Sequence, residues 1–200
     1  KILGFSLSNL ILEGPKEVLD QTENTQPAIF LVSYSIFNLI KNEFKIDLNK
    51  AKYFAGHSLG EYSALAASGV LSFSDTLKIL KTRGKAMQSA VPKGEGGMVA
   101  ILGAEIENLK FNETKNQLIS NVTANEISEP DQIKKLLIQQ IESRVRWRES
   151  VNYMISKGTK HFIEIGPGKV LSGLIKRIDR NVKVSAINNE EDINTLNLND

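Results

Sequence analysis

Gly56-His57-Ser58-Leu59-Gly60 constrains this chain more than any other stretch. It fits G-x-S-x-G, a turn that carries a serine between a strand and a helix and leaves its hydroxyl exposed. The flanks agree. Ala51-Lys52-Tyr53-Phe54-Ala55 reads as a short buried strand, and Leu59 to Ser68 reads as a helix stopped at Gly69. Side chains at the two glycines would clash where strand and helix approach. The helix start presents unpaired backbone N–H groups and a positive dipole end beside the serine. Those donors can hold an oxyanion when Ser58 attacks an acyl carbonyl. The competing reading is an ordinary serine in a glycine-bounded turn.

Composition narrows the alternatives. The 200 residues suffice for one core, or for one core with a small appendage. Net charge is +2, and the lysines are scattered, with no basic run or aromatic-basic interleaving that would suggest nucleic acid. There are no cysteines, which excludes disulfides, thiolate metal sites and cysteine nucleophiles, and is compatible with a reducing cytosol. The apolar runs are far shorter than a membrane span.

The rest of the chain alternates helix and strand signals. Thr25 can cap a helix opening at Gln26-Pro27, with Ile29, Val32, Ile36, Leu39 and Ile40 at helical spacing to about Phe44. Ser72-Phe73-Ser74-Asp75 starts a helix that runs to about Ala90. Pro92 to Gly97 reads as a loop, Met98 to Leu102 as a short strand, and residues 104–117 as polar and nearly patternless. Leu118 to Val122 reads as a strand. Helices follow from Ser128-Pro130 to about Ile141 and from about Arg146 to Lys157, ending at Gly158. His161 to Ile165 is a strand, Gly166-Pro167-Gly168 a turn, Val170 to Ile178 a helix and Val182 to Ile187 a last strand before a frayed tail. This alternation predicts an α/β layer fold with a mostly parallel sheet. Ligands of such sheets bind beyond the carboxyl ends of the strands, where the Ser58 elbow and the Gly166 turn belong.

Seven collinear stretches together resemble malonyl-CoA:acyl carrier protein transacylases. They are Thr22 to Ala28, Gly56-His57-Ser58-Leu59-Gly60-Glu61-Tyr62, Arg83 to Gln88, Gly96-Gly97-Met98, Asn121 to Ala124, Val145-Arg146-Trp147 and Glu164 to Leu171. The resemblance implies an α/β-hydrolase-like core with an inserted ferredoxin-like subdomain. Residues 1–95 and 118–200 would form the two parts of the core, and 96–117 a remnant of the insertion. It implies that a serine takes malonyl from malonyl-CoA and passes it to the phosphopantetheine thiol of acyl carrier protein, in ping-pong covalent catalysis. Ser58 matches the nucleophile, and the Leu59 backbone N–H one oxyanion donor. Arg83 matches the arginine that holds the malonyl carboxylate, although a lone arginine on a helix is ordinarily a solvated surface residue. Gln140, with Gln139 as a neighbouring alternative, matches a residue whose main-chain carbonyl orients the catalytic histidine. No cofactor or metal is expected, the partners being malonyl-CoA and the carrier protein, with no nucleic acid and no membrane, in the cytoplasm.

The chain also departs from that family. It has two histidines, and neither lies in a segment resembling the family's Pro-Phe-His-Ser base motif. His57 is expected to pack at the elbow, and His161 to be a structural residue of its strand. The family's Gly-Gln-Gly-Ser-Gln segment does not occur in these 200 residues, and a deletion of the amino-terminal strand is expected. A base-bearing segment is therefore expected to be missing near Leu109 to Phe111, where a chain break or a spatial jump would mark it. Alternative functions are a polyketide synthase acyltransferase domain, a serine esterase or thioesterase, and an inactive carrier-binding module.

Overall fold

A computed structural model describes residues 2–89 and 97–196. The chain opens with α1 (Leu7–Glu13), capped by Ser6, whose side chain accepts from the Asn9 N–H, and a single turn α2 (Lys16–Leu19). The long helix α3 (Thr22–Asn42) follows. It begins four residues before the expected start, so Pro27 lies inside it and not in its first turn. Side-chain bonds to the preceding turn fix the earlier start: Thr25 Oγ1 donates to the Leu19 carbonyl at 2.7 Å and Asn24 Nδ2 to the Val18 carbonyl at 2.8 Å. Thr25 thus anchors the helix by back-bonding and does not cap it.

Strand β1 (Tyr53–Phe54) leads through the elbow into α4 (Leu59–Ala67). Helix α5 (Phe73–Gln88) begins as expected at Ser72, whose hydroxyl accepts from the Asp75 N–H at 3.0 Å. The α3 and α5 helices pack so closely that a Cβ on Gly84 would sit 2.5 Å from the Glu23 Cα. That approach brings Arg83, the neighbour of Gly84, against the first turns of α3.

The stretch expected to be a strand at Met98–Leu102 is helical, within α6 (Gly97–Glu107). A run of five apolar residues does not distinguish a strand from a buried helix segment. Tertiary packing decides it: Leu102 and Ile106, four apart on one helical face, are both fully buried in the main core. Pro92 to Gly96 lies outside the described residues. After α6 the chain turns, with the Leu109 N–H bonded to the Ile106 carbonyl at 3.1 Å and the Asn112 N–H to the Val70 carbonyl at 2.9 Å. Residues 97–196 form one uninterrupted run, so the break expected at Leu109-Lys110 is not found. Local turn bonds and the link to Val70 lead the chain straight back to the core.

Strand β2 (Gln117–Ile119) pairs parallel with β1 and antiparallel with β3 (Glu126–Ile127). Then come α7 (Pro130–Gln140), α8 (Trp147–Ser156), β4 (His161–Ile165), α9 (Val170–Ile178), β5 (Lys183–Ile187) and α10 (Glu190–Asn194). The β4 and β5 strands pair parallel, joined by α9 in a β-α-β unit. The expected α/β class holds, with its strands in two sheets among the described residues and one antiparallel pairing. Phe30, Tyr62, Leu65, Ile79, Leu80 and Leu137 anchor the largest core, which lies under the elbow helix.

Candidate active site

Ser58 stands at the N-cap of α4 with φ 55° and ψ −109°. A non-glycine residue there carries strain of about 1–3 kcal/mol and persists only where its surroundings over-determine it. They do so from both sides. Asn121, in the loop after β2, accepts the Ser58 N–H on Oδ1 at 2.8 Å and donates from Nδ2 to the Gly56 carbonyl at 2.7 Å. Gln140, at the end of α7, donates from Nε2 to the Ser58 carbonyl at 3.0 Å. A Cβ on Gly56 would collide with the Gly60 carbonyl, so the turn closes only around glycine.

The Ser58 hydroxyl is not used to cap α4. It accepts instead from Arg83 Nη2 at 2.8 Å. Arg83 Nη1 donates to Gln26 Oε1 at 2.7 Å, and Gln26 Nε2 in turn reaches Met87 Sδ at 2.9 Å. The guanidinium also lies 5.7 Å from the Tyr62 ring centroid, a cation–π distance. Arg83 is 8% exposed. Burial pulls its pKa below the ordinary arginine value, while Tyr62 and Glu61 act to raise it. Burial likewise pushes the Tyr62 hydroxyl up to about 12, with Arg83 opposing. Leu59 opens α4, and its N–H belongs to the first turn, whose donors have no carbonyl within the helix to reach.

The structure therefore brings together Ser58, Leu59, Arg83 and Gln140 of the residues singled out from sequence. Gln140 meets the elbow with its side-chain amide. It sits on the inner face of α7 with 4% exposure, whereas Gln139 faces outward. His57 sets its ring edge-on to Trp147, centroids 5.8 Å apart. Partial desolvation of the ring lowers its pKa. His161 lies on β4 with Nε2 2.9 Å from Ser185 Oγ on β5. The Gly166 turn follows the end of β4, and Gly166 packs against Ser33 of α3, the helix that also carries Gln26.

Sequence reasoning missed Asn121, Gln26 and Glu61 as site residues. All three occur in the stretches that carry the resemblance, but long-range pairing, invisible to local pattern, gives each its role. Glu61, 5% exposed, accepts from Gln140 Nε2 at 2.8 Å and from the Asn121 N–H at 3.3 Å. Among the described residues no cluster of three or more histidine, aspartate or glutamate side chains could hold a metal ion, and no helix is long and apolar enough to cross a membrane.

A serine on a strained, bracketed elbow, a helix N-terminus beside it and a buried cation on its hydroxyl suit acyl transfer through an oxygen nucleophile. Comparison with known proteins agrees. The chain is 33% identical to the malonyl CoA-acyl carrier protein transacylase of Bacillus subtilis, over 96% of this chain and 83% of that protein. That match spans 268 aligned positions, while 96% of the 200 residues is about 192, so roughly 76 positions face no residue here. Among solved structures, an acyl carrier protein S-malonyltransferase from Vibrio cholerae superposes with a TM-score of 0.91 at 28% identity, covering 98% of this chain and 88% of that one. A malonyl-transacylase in complex with a type II polyketide synthase acyl-carrier protein superposes with a TM-score of 0.88 at 26% identity, covering 97% and 86%. The sequence model of the acyl transferase domain matches residues 1–153, more than half of the chain. This chain is a member of the acyl transferase domain family.

Proposed function

We propose that the chain transfers malonyl from malonyl-CoA to the phosphopantetheine thiol of acyl carrier protein, through a malonyl ester on Ser58, in fatty acid biosynthesis. The observation that carries this reading is the bond from Arg83 to the Ser58 hydroxyl at 2.8 Å. A buried guanidinium beside the nucleophile selects an acyl group that brings its own carboxylate, because a planar fork of donors matches a carboxylate bidentately. On arrival of malonyl, Arg83 keeps Gln26 and exchanges the serine hydroxyl for the carboxylate. Ser58 Oγ then attacks the thioester carbonyl, and the Leu59 N–H takes part of the oxyanion charge. The carbon–sulfur bond breaks and the coenzyme thiolate leaves. In the second half, the carrier thiol attacks the serine ester and Ser58 is regenerated.

A serine hydroxyl also needs a proton acceptor. Ser58 faces a guanidinium, and the resemblance places the base in a segment without counterpart between about Leu109 and Phe111. We assign that segment to the aligned positions that have no residue here, and with it most of a small subdomain, of which residues 96–117 are the remnant. Loading by these 200 residues alone is accordingly slow, with water taking the proton. The reaction requires no cofactor beyond its two substrates. A cytoplasmic setting belongs to the same proposal, and the lack of cysteines is compatible with it.

The absence from this sequence of a segment resembling the family's histidine base motif also favours a second reading, a carrier-binding module that no longer turns over. Incubation with malonyl-CoA separates the possibilities. A stable malonyl adduct that a carrier thiol removes supports the transferase. Release of malonate alone supports a hydrolase. An unmodified protein that still binds the carrier supports the module.

A further inference from the structure

Beneath the elbow lies a carboxylate that the transfer steps do not use. Glu61 sits in the first turn of α4, three residues after Ser58, and points inward. It shares Gln140 with Ser58: one Nε2 donates to Glu61 Oε2 at 2.8 Å and to the Ser58 carbonyl at 3.0 Å. Its two oxygens also take the Asn121 N–H at 3.3 and 3.4 Å. Asn121 in turn clamps the Ser58 N–H and the Gly56 carbonyl. Glu61 thus holds both residues that bracket the serine backbone, Gln140 by its side-chain amide and Asn121 by its backbone N–H. One further atom is informative. Gln140 Oε1 is buried and has no hydrogen-bond partner among the described residues. A buried amide oxygen left unpaired is uncommon and asks for an explanation.

We propose that Glu61 is a positioning residue whose protonation reorients the Gln140 amide and thereby loosens the Ser58 elbow, a role that rests on Ser58 being the nucleophile. With Glu61 ionised, Nε2 faces two acceptors, the carboxylate and the Ser58 carbonyl, and the amide orientation is fixed. A proton on Oε2 sets donor against donor. Half a turn of the amide relieves this conflict and gives the carboxyl O–H the otherwise unpaired Oε1. The same turn sets Oε1 against the Ser58 carbonyl, which keeps the Glu61 N–H at 3.1 Å as its remaining donor. The backbone at φ 55° then loses half of its bracket.

The groups facing Glu61 are Gln140 from α7, Asn121 from the loop after β2, Arg83 from α5 and Tyr62 beside it on α4. Arg83 is the charged one. Burial pushes the Glu61 carboxyl up to about 7, against the pull of Gln140, Asn121 and Arg83. Both forms are therefore populated near neutral pH.

Nitrogen-15 NMR on the whole protein tests this without any acyl transfer. Between about pH 5 and about pH 9, the Gln140 side-chain amide and the backbone N–H signals of Asn121 and Ser58 should move together, with one shared midpoint near 7. In Glu61→Gln, matched in size, the shared movement should vanish. Signals that stay still across this range in the wild type overturn the proposal, and that arm needs no variant to fold. A shared titration that persists in Glu61→Gln overturns it equally. An intact titration in a protein that takes up no malonyl supports the role of Glu61 in the elbow while removing the transfer reading.

Discussion

Arg83 donates to the hydroxyl of Ser58 at 2.8 Å, across a separation of 25 residues. Helix α5 supplies the arginine and the elbow supplies the serine, so the pair exists only because α3, α4 and α5 pack as one unit. Before any substrate arrives, the cation already stands against the serine hydroxyl.

Replacing Arg83 by alanine should therefore change the choice of acyl group more than the fold. Malonyl transfer should fall by a free energy on the order of 2–5 kcal/mol, the scale for stranding the partner of a desolvated charge. Acetyl transfer should suffer much less or improve. Rates measured with malonyl-CoA and acetyl-CoA check this, and equal losses with both would assign Arg83 another task.

Asn121 bridges the two sides of the elbow, so Asn121→Ala leaves the Ser58 N–H and the Gly56 carbonyl without this partner. Each buried group left unpaired costs about 1–3 kcal/mol. For a chain of this size the melting temperature should fall by about 2–4 °C per kcal/mol. Covalent labelling of Ser58 should slow beyond what the loss of folded protein explains. Thermal melts and labelling rates at a temperature where the variant is fully folded separate the two effects.

Gly84→Ala tests the α3–α5 contact that delivers Arg83. Its Cβ would lie 2.5 Å from the Glu23 Cα and 2.6 Å from the Thr22 carbonyl oxygen, both backbone atoms that cannot swing away. Overpacking of this kind costs about 1–3 kcal/mol. Denaturant unfolding should show that loss, and an unchanged midpoint would mean the two helices separate freely.

Stability should carry the signature of Glu61. Its folded pKa, raised to about 7 by burial, lies above the value of 4.5 for an unburied glutamate. The folded protein then holds a proton that the unfolded chain releases. This contribution is complete below about pH 4.5 and is lost as pH rises through about 7. It amounts to roughly 3 kcal/mol, because each tenfold difference in proton affinity is worth about 1.4 kcal/mol. Denaturation midpoints followed over that window should decline in the wild type and stay flatter in Glu61→Gln.

Much of this was legible in the sequence, and particular residues show why. Ser72 and its partner Asp75 lie three apart, so the start of α5 is a local signal. The G-x-S-x-G turn is local too, because a Cβ on Gly56 would collide with the Gly60 backbone four residues on; the clash expected at Gly60 itself is not found, since a Cβ there would meet nothing. Met98 to Leu102 misled because an apolar run has no period, and burial of Leu102 and Ile106 beneath neighbouring helices made it helical. Thr25 misled because its hydroxyl found Leu19 on the turn before it. In the site, Arg83 and Gln140 were found through the resemblance. Glu61 was passed over because one acidic residue in the first turn of a helix looks like a favourable dipole contact. Its burial depends on residues 60 and 79 positions away.

The malonyl ester on Ser58 is the centre of this account, and peptide mapping after exposure to malonyl-CoA tests it most directly. One malonyl group should accumulate slowly on the peptide that contains Ser58, transfer to the thiol of acyl carrier protein, and be absent from Ser58→Ala. Undiminished malonyl on Ser58→Ala, or a wild-type protein that stays unmodified after prolonged exposure, would contradict it.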